Sequence, residues 1–409
     1  MSDGIIKADL TIVGAGLVGL AAAVAFSKAG YDVVLVDEQA DTSAFPKNDA
    51  VWDQRIYAIS PKNAHWLAGL GAWPLLDSRR IGVMQAMEIW GDASSAPLYL
   101  SADEVNADEL AFVVEESALK QALMQQVQAC GLRMLLGSKC VRLNAQPQRS
   151  TLYLDNQQVI ECALLIAADG ANSWVRQQLA VGIEQKPYHQ TAIVANFETE
   201  KPHANIARQW FRQDKFTAGH ALADQAAHCG ILAWLPLPGN RVSIVWSAPE
   251  QYADYLLTLD ADAFADQVMQ SGNAALGRMT MLGKPAAFPL ILKKAEMATQ
   301  DSVVLVGDAA HRIHPMAGQG VNLGFRDIID LVETVRHRNP YQPINDSSLL
   351  RRYARARKVD MFSMLTLTNG LYHLFESQNT VIRKVRNWGL SATNQQSIKR
   401  MLLKHAIAL

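Results

Sequence analysis

The chain has 409 residues, 49% of them apolar and 19% charged, with a formal net charge of −1. That length exceeds one ordinary core and predicts roughly two or three domains, while the near-zero charge excludes a generally basic nucleic-acid binder. No stretch reaches the roughly 18–20 apolar residues of a membrane span, and the start, with Asp3, Lys7 and Asp9, lacks the pattern of a secretory leader.

In chain order, Asp9–Val13 is a short apolar run, Leu17–Gly30 reads as a helix closing on a C-cap glycine, and Asp32–Val36 is a second apolar run. Between the first two stands Gly14-Ala15-Gly16-Leu17-Val18-Gly19. In such a G-x-G-x-x-G, the first glycine permits a tight turn, the second lets a pyrophosphate approach the backbone, and the third lets helix and strand pack closely. The helix start adds free N–H groups and its positive dipole end. Asp37, 18 residues after Gly19 and followed by Glu38, ends the second run where a carboxylate accepts hydrogen bonds from a ribose diol. The order predicts a dinucleotide site without separating NAD from FAD.

The four cysteines, Cys130, Cys140, Cys162 and Cys229, lack CxxC spacing, which predicts a reducing, cytoplasmic setting without a disulfide framework or structural zinc. Two later apolar runs, Ala163–Ala168 and Ser302–Val306, lead into Asp169-Gly170 and Gly307-Asp308. Between about 182 and 276 the texture changes to β-prone segments, Ala192–Phe197, Ala207–Phe211, Gly230–Leu235 and Val242–Trp246, separated by Pro, Gly and Asn. Their Trp210, Phe211, Trp234 and Trp246 read either as ordinary strand core or as pocket lining. From about Asp327 the pattern is helical. Residues 351–409 hold 11 Lys/Arg against two acids, whereas the preceding 350 residues hold 27 against 37. The cluster Arg351, Arg352, Arg355, Arg357 and Lys358 opens that basic end, either as a solvated face or as an attraction for an anionic surface.

The run from Gly307 to Asn322 resembles the class A flavoprotein aromatic hydroxylases, the single-component FAD monooxygenases. The resemblance implies that Gly307-Asp308 is the family's Gly-Asp motif, with Asp308 at the ribityl chain of FAD. It also implies that Pro315, Ala317, Gly318, Gln319, Gly320, Val321 and Asn322 lie along the isoalloxazine ring. Asp169-Gly170-Ala171-Asn172-Ser173-Trp174-Val175-Arg176 resembles D-G-x-x-S-x-x-R, in which Asp169 and Arg176 serve FAD and the transient nicotinamide cofactor. Arg176 suits a bidentate phosphate contact. Asp53–Ser60 resembles the D-x-R-x-x-A-L-S segment of the ubiquinone-biosynthesis hydroxylases, which puts Arg55 beside the flavin. Phe112–Glu116 resembles their Y-V-V-E-N, with Glu116 where asparagine is common.

Together these imply an α/β fold: a Rossmann-like FAD-binding domain from 1–181 and 277–350, an inserted, mainly antiparallel β-sheet substrate domain at 182–276, and a basic helical segment at 351–409. The implied activity is FAD-dependent hydroxylation of a polyprenylated phenol in ubiquinone biosynthesis through a C4a-hydroperoxyflavin, with NADPH or NADH as transient reductant and O2 as cosubstrate. The cofactor carries the chemistry, so no acid–base residue is assigned; Arg55 and Pro315 stand beside the flavin. His311 and His314 lack a third ligand and are read as hydrogen-bonding residues of the cofactor loop, with no metal expected. Partners implied are other ubiquinone-biosynthesis proteins or a lipid carrier, with peripheral contact at the inner membrane surface through the basic end. A hydroxylase of a small soluble aromatic compound shares every flavin motif, and so does a non-catalytic flavin-binding scaffold.

Overall fold

The last four residues of strand Ile6–Val13 are fully buried, so the strand needs cover on both faces, and crossover helices provide it in parallel sheets. The computed structural model describes residues 4–40, 52–91, 97–213, 229–312 and 319–376. Its first sheet runs Thr299–Gln300, Val303–Leu305, Val159–Ala167, Ile6–Val13, Val33–Asp37, Arg133–Leu136. The inner pairings are parallel. An antiparallel hairpin, Cys140–Gln146 with Arg149–Leu154, joins the first half of Val159–Ala167.

Helix Leu17–Lys28 is apolar almost all round because it is enclosed, packing against helices Glu116–Ala129 and Gln319–Arg336. The helix stops at Ala29, and Gly30 follows at φ +88°.

The second sheet has the order His311–Arg312, Met279–Ala295, Ile183–Thr199, Arg241–Pro249, Cys229–Leu237, Ile206–Gln213, Ala86–Trp90, Leu98–Ser101. It contains all four β-prone segments and is antiparallel except where Ile206–Gln213 meets Ala86–Trp90. The sheet takes strands from outside residues 182–276, at 86–101, 279–295 and 311–312. A small third sheet, Ile56–Ile59, Ala111–Glu115 and Gly82–Met84, stands between the two.

Trp210, Trp234 and Trp246 lie on the sheet face covered by helices Glu250–Thr258 and Ala261–Ser271 and are each 1% exposed. Trp210 and Trp234 pack edge to face at 4.6 Å. Of the two readings, core is the correct one for these three; Phe211 is buried on the opposite face. The basic cluster also needs correction. Arg351, Arg352, Arg355 and Lys358 are exposed on helix Ser347–Glu376, but Arg357 points inward and is buried. The basic end beyond residue 376 and the segment 313–318, with His314, Pro315, Ala317 and Gly318, lie outside the described residues.

Candidate cofactor site

The glycine turn is shaped by close approach. Gly14 sits at φ +105°, and a Cβ there would meet Ala168 O at 2.4 Å. A Cβ on Gly19 would meet Gly14 O at 1.9 Å, so the helix touches the strand end only because that position is bare. Gly16, the N-cap residue, differs: its Cβ would meet nothing within 4 Å and would project into open space over the helix start. That is a cradle for an anion at a helix N-terminus. Ala15 and Leu17 bury their side chains and offer only backbone, Val18 is partly buried, and Glu38 is exposed. Asp37 accepts from Ala15 N through Oδ2 and from Gln39 N through Oδ1, at 2.7 Å for the latter. A carboxylate has about four acceptor positions, so one on each oxygen is left for a ribose hydroxyl.

Two more turns close on this one. Asp169 accepts from Val175 N at 3.0 Å through Oδ2, while its buried Oδ1 has no partner among the described residues. Burial raises the Asp169 pKa, against the hydrogen bonds of Ser173 and Val175. Asp308, in the turn Gly307–Ala309, is exposed between the buried Gly307 and Ala309. Desolvation by the surrounding protein raises its pKa, while Arg312, His311, Arg55 and Lys293 pull it down. An open glycine cradle, an orphaned buried acceptor and an exposed acid fit a flavin dinucleotide.

Arg176, read from the sequence as a phosphate contact, is held within the protein. It is 5% exposed, and its guanidinium donates to Ala309 O at 2.7 Å and Ala171 O at 3.0 Å. It ties the Asp-Gly turn to the Gly-Asp turn. Asn322 is likewise turned away from the cleft: Oδ1 accepts from Ser60 N at 3.0 Å and Asn63 Nδ2 at 2.8 Å, and Nδ2 donates to Ala58 O at 2.7 Å. Gln319, Gly320 and Val321 form the first turn of helix Gln319–Arg336, with Val321 in the core.

Arg55 is set by the small sheet. Asp53 accepts Arg55 N at 3.1 Å and Ser117 N at 2.8 Å, and buried Glu115 accepts Asp53 N at 2.7 Å while pairing with Arg80. The half-exposed Arg55 guanidinium lies over the Phe288 ring at 4.9 Å and pairs loosely with Glu116 at 3.4 Å. Burial raises the Glu116 pKa, Arg55 opposing it; burial and Glu116 together raise that of the neighbouring Tyr57.

Sequence reasoning missed Glu115 and Asp327. Asp327 accepts His311 Nε2 at 2.7 Å, which gives His311 the hydrogen-bonding place expected of it. A signal existed: Asp327 falls between Leu323 and Leu331 at four-residue spacing, a lone acid on a buried helical stripe.

The description "FAD binding domain" matches residues 7–361. The chain is 31% identical over 404 residues to 3-demethoxyubiquinol 3-hydroxylase of Escherichia coli (strain K12), covering 98% of each. It is 30% identical over 405 residues to ubiquinone hydroxylase UbiL of Rhodospirillum rubrum, covering 98% of this chain and 89% of that protein. Among solved structures, PqsL of P. aeruginosa in complex with 2-aminobenzoylacetate has the same fold, with a TM-score of 0.74 at 19% identity over 95% of this chain and 100% of that one. By sequence and fold together, the chain belongs to the FAD-binding-domain family of flavin-dependent monooxygenases.

Proposed function

We propose that the chain hydroxylates the aromatic ring of a polyprenylated phenol in ubiquinone biosynthesis, with FAD as cofactor, NADPH or NADH as reductant and O2 as cosubstrate. The observation that carries this is similarity over almost the whole chain to two hydroxylases named for ubiquinone chemistry. FAD, when bound, takes electrons from the nicotinamide and activates oxygen, so the protein's part is binding, orientation and exclusion of water. The helix start behind Gly16 would hold the diphosphate, Asp37 the ribose and Asp308 the ribityl hydroxyls.

The substrate side is the second sheet's other face. Asn196 on that face donates to Asp53 O at 2.8 Å, so the face looks towards the Arg55 segment. Val194, Val245 and Ala233 adjoin one another in register on it and are half-buried. An apolar wall of this kind suits a ring and a prenyl tail.

No helix among the described residues is long and apolar enough to cross a membrane. A prenylated phenol partitions into lipid, so the substrate must arrive from the inner membrane surface, from a lipid carrier or from a partner protein of the pathway. The exposed Arg351, Arg352, Arg355 and Lys358 favour the anionic surface.

Quinone profiling by mass spectrometry in a strain lacking this gene tests the proposal. A prenylated intermediate short of ring oxygen should accumulate, and the intact gene should clear it while Gly16→Val and Asp308→Ala should not. An unchanged quinone pool, in a strain without a second such hydroxylase, would sink the substrate assignment and leave the flavoprotein intact.

A further inference from the structure

The turn that carries Asp308 is held from both ends by buried charged side chains that do not belong to the cleft. At its end, Ala309 O accepts from Arg176; at its start, Gly307 N donates to Asp327 Oδ2 at 2.8 Å. Asp327 is 1% exposed and takes three donors in all, the others being His311 Nε2 and Arg357 Nε, each at 2.7 Å. Burial alone would raise its pKa, but His311, Arg357 and the hydrogen bonds outweigh burial and hold it below the usual carboxylate value. A charged acceptor makes a stronger, shorter hydrogen bond than a neutral one, so Gly307 is firmly fixed.

Arg357 arrives from a different element, helix Ser347–Glu376, and its Nη1 also reaches Asp330 and Asp360 at 2.8 Å each. The packing points the same way. Gly324, one turn before Asp327, has no room for a side chain: a Cβ would lie 2.6 Å from Val18 Cγ2 and 3.4 Å from Gly307 Cα. Gly307 itself is at φ +56° against Val18. Helix Gln319–Arg336 is therefore pressed onto both the glycine cradle and the Gly-Asp turn, and helix Ser347–Glu376 is ionically pinned to it.

We propose that Asp327 is a positioning residue for FAD and that Arg357 links FAD affinity to the seating of helix Ser347–Glu376, an inference resting on the family's use of FAD. Linkage is reciprocal: whatever seats the helix tightens FAD binding, and FAD seats the helix by the same factor.

Two double variants isolate the hydrogen bond from the charge. Asp327→Asn with Arg357→Met removes both charges but keeps an acceptor for Gly307 N; Asp327→Leu with Arg357→Met removes the acceptor too. Removing both partners of a buried ion pair is far milder than removing one, so both doubles are suited to folding. With FAD titrated into apoprotein by fluorescence quenching, both doubles should bind more weakly than the parent through the loss of Arg357, and the Leu double at least about tenfold more weakly than the Asn double. Asp330→Asn, which loses an Arg357 contact without touching Gly307, should weaken FAD binding less than the Leu double does. In the unaltered protein, FAD should slow amide hydrogen exchange across 347–361, a measurement that needs no variant. Equal FAD affinity in the two doubles, or exchange in 347–361 indifferent to FAD, overturns the proposal. Failure of the parent to bind FAD would instead strike the family's cofactor use.

Discussion

Gly16 and Gly19 lie three residues apart in one turn, yet alanine should act on different quantities at each. At Gly19 the new Cβ would sit 1.9 Å from Gly14 O, a backbone atom that cannot swing aside, so helix Leu17–Lys28 must retreat by roughly 1 Å. Overpacking of this kind costs about 1–3 kcal/mol, only partly offset by the roughly 1 kcal/mol that alanine gains over glycine inside a helix. Apoprotein stability should therefore fall by up to about 2 kcal/mol, with FAD affinity falling alongside as the helix start withdraws. At Gly16 the Cβ meets nothing within 4 Å, so the apoprotein should lose no more than the cost of a poorer N-cap, about 1 kcal/mol or less. That Cβ nevertheless takes up open space at the helix start. Interaction with a helix N-terminus is worth up to about 2 kcal/mol, so Gly16→Ala should weaken FAD binding by roughly 10–30-fold. Thermal unfolding of the two apoproteins and FAD titration of each separate the effects. Unchanged FAD affinity in Gly16→Ala, or equal destabilisation by both substitutions, would refute the cradle.

Asn322→Leu should destabilise the apoprotein by about 2–4 kcal/mol in denaturant unfolding, since it strands Ser60 N and Ala58 O in the interior. FAD affinity should change little in the folded fraction, because the amide faces away from the cleft. Glu116 binds its proton more tightly folded than unfolded, so its contribution to stability is full below the ordinary carboxylate value and shrinks as pH rises towards the raised one. Glu116→Gln should accordingly raise the apoprotein Tm more at about pH 7 than at about pH 4. Asp327 has the opposite sign: its stabilisation is complete above the ordinary carboxylate value and vanishes as pH falls through the lowered one. The Tm deficit of Asp327→Asn should hold at neutral pH and close in acid; a deficit constant down to about pH 2 would contradict the ionic role.

The dinucleotide turn was legible because its constraints act within a few residues. A positive φ at Gly14 and the close approach of Gly19 to Gly14 O demand glycine whatever the rest of the chain does. The strands at Ile6–Val13 and Val33–Asp37 were likewise visible as short apolar runs, and the four β-prone segments by their composition between Pro, Gly and Asn turns. Which face of a strand is covered was not visible, because period-two alternation assigns residues to faces without saying what packs on each. Trp210 and Phe211 are neighbours on opposite faces of one strand, and only helices Glu250–Thr258 and Ala261–Ser271 make the tryptophan side a core. Polar residues were the least legible. Arg176 reads as a phosphate ligand, Arg357 as surface charge and Asn322 as a flavin contact, but each is turned inward by partners 133, 30 and 262 residues away. A glycine's role follows from its own backbone and nearest neighbours, so sequence alone determined the cradle. A charged side chain goes where its counter-charge is buried, and only the packing of distant elements decided where that would be.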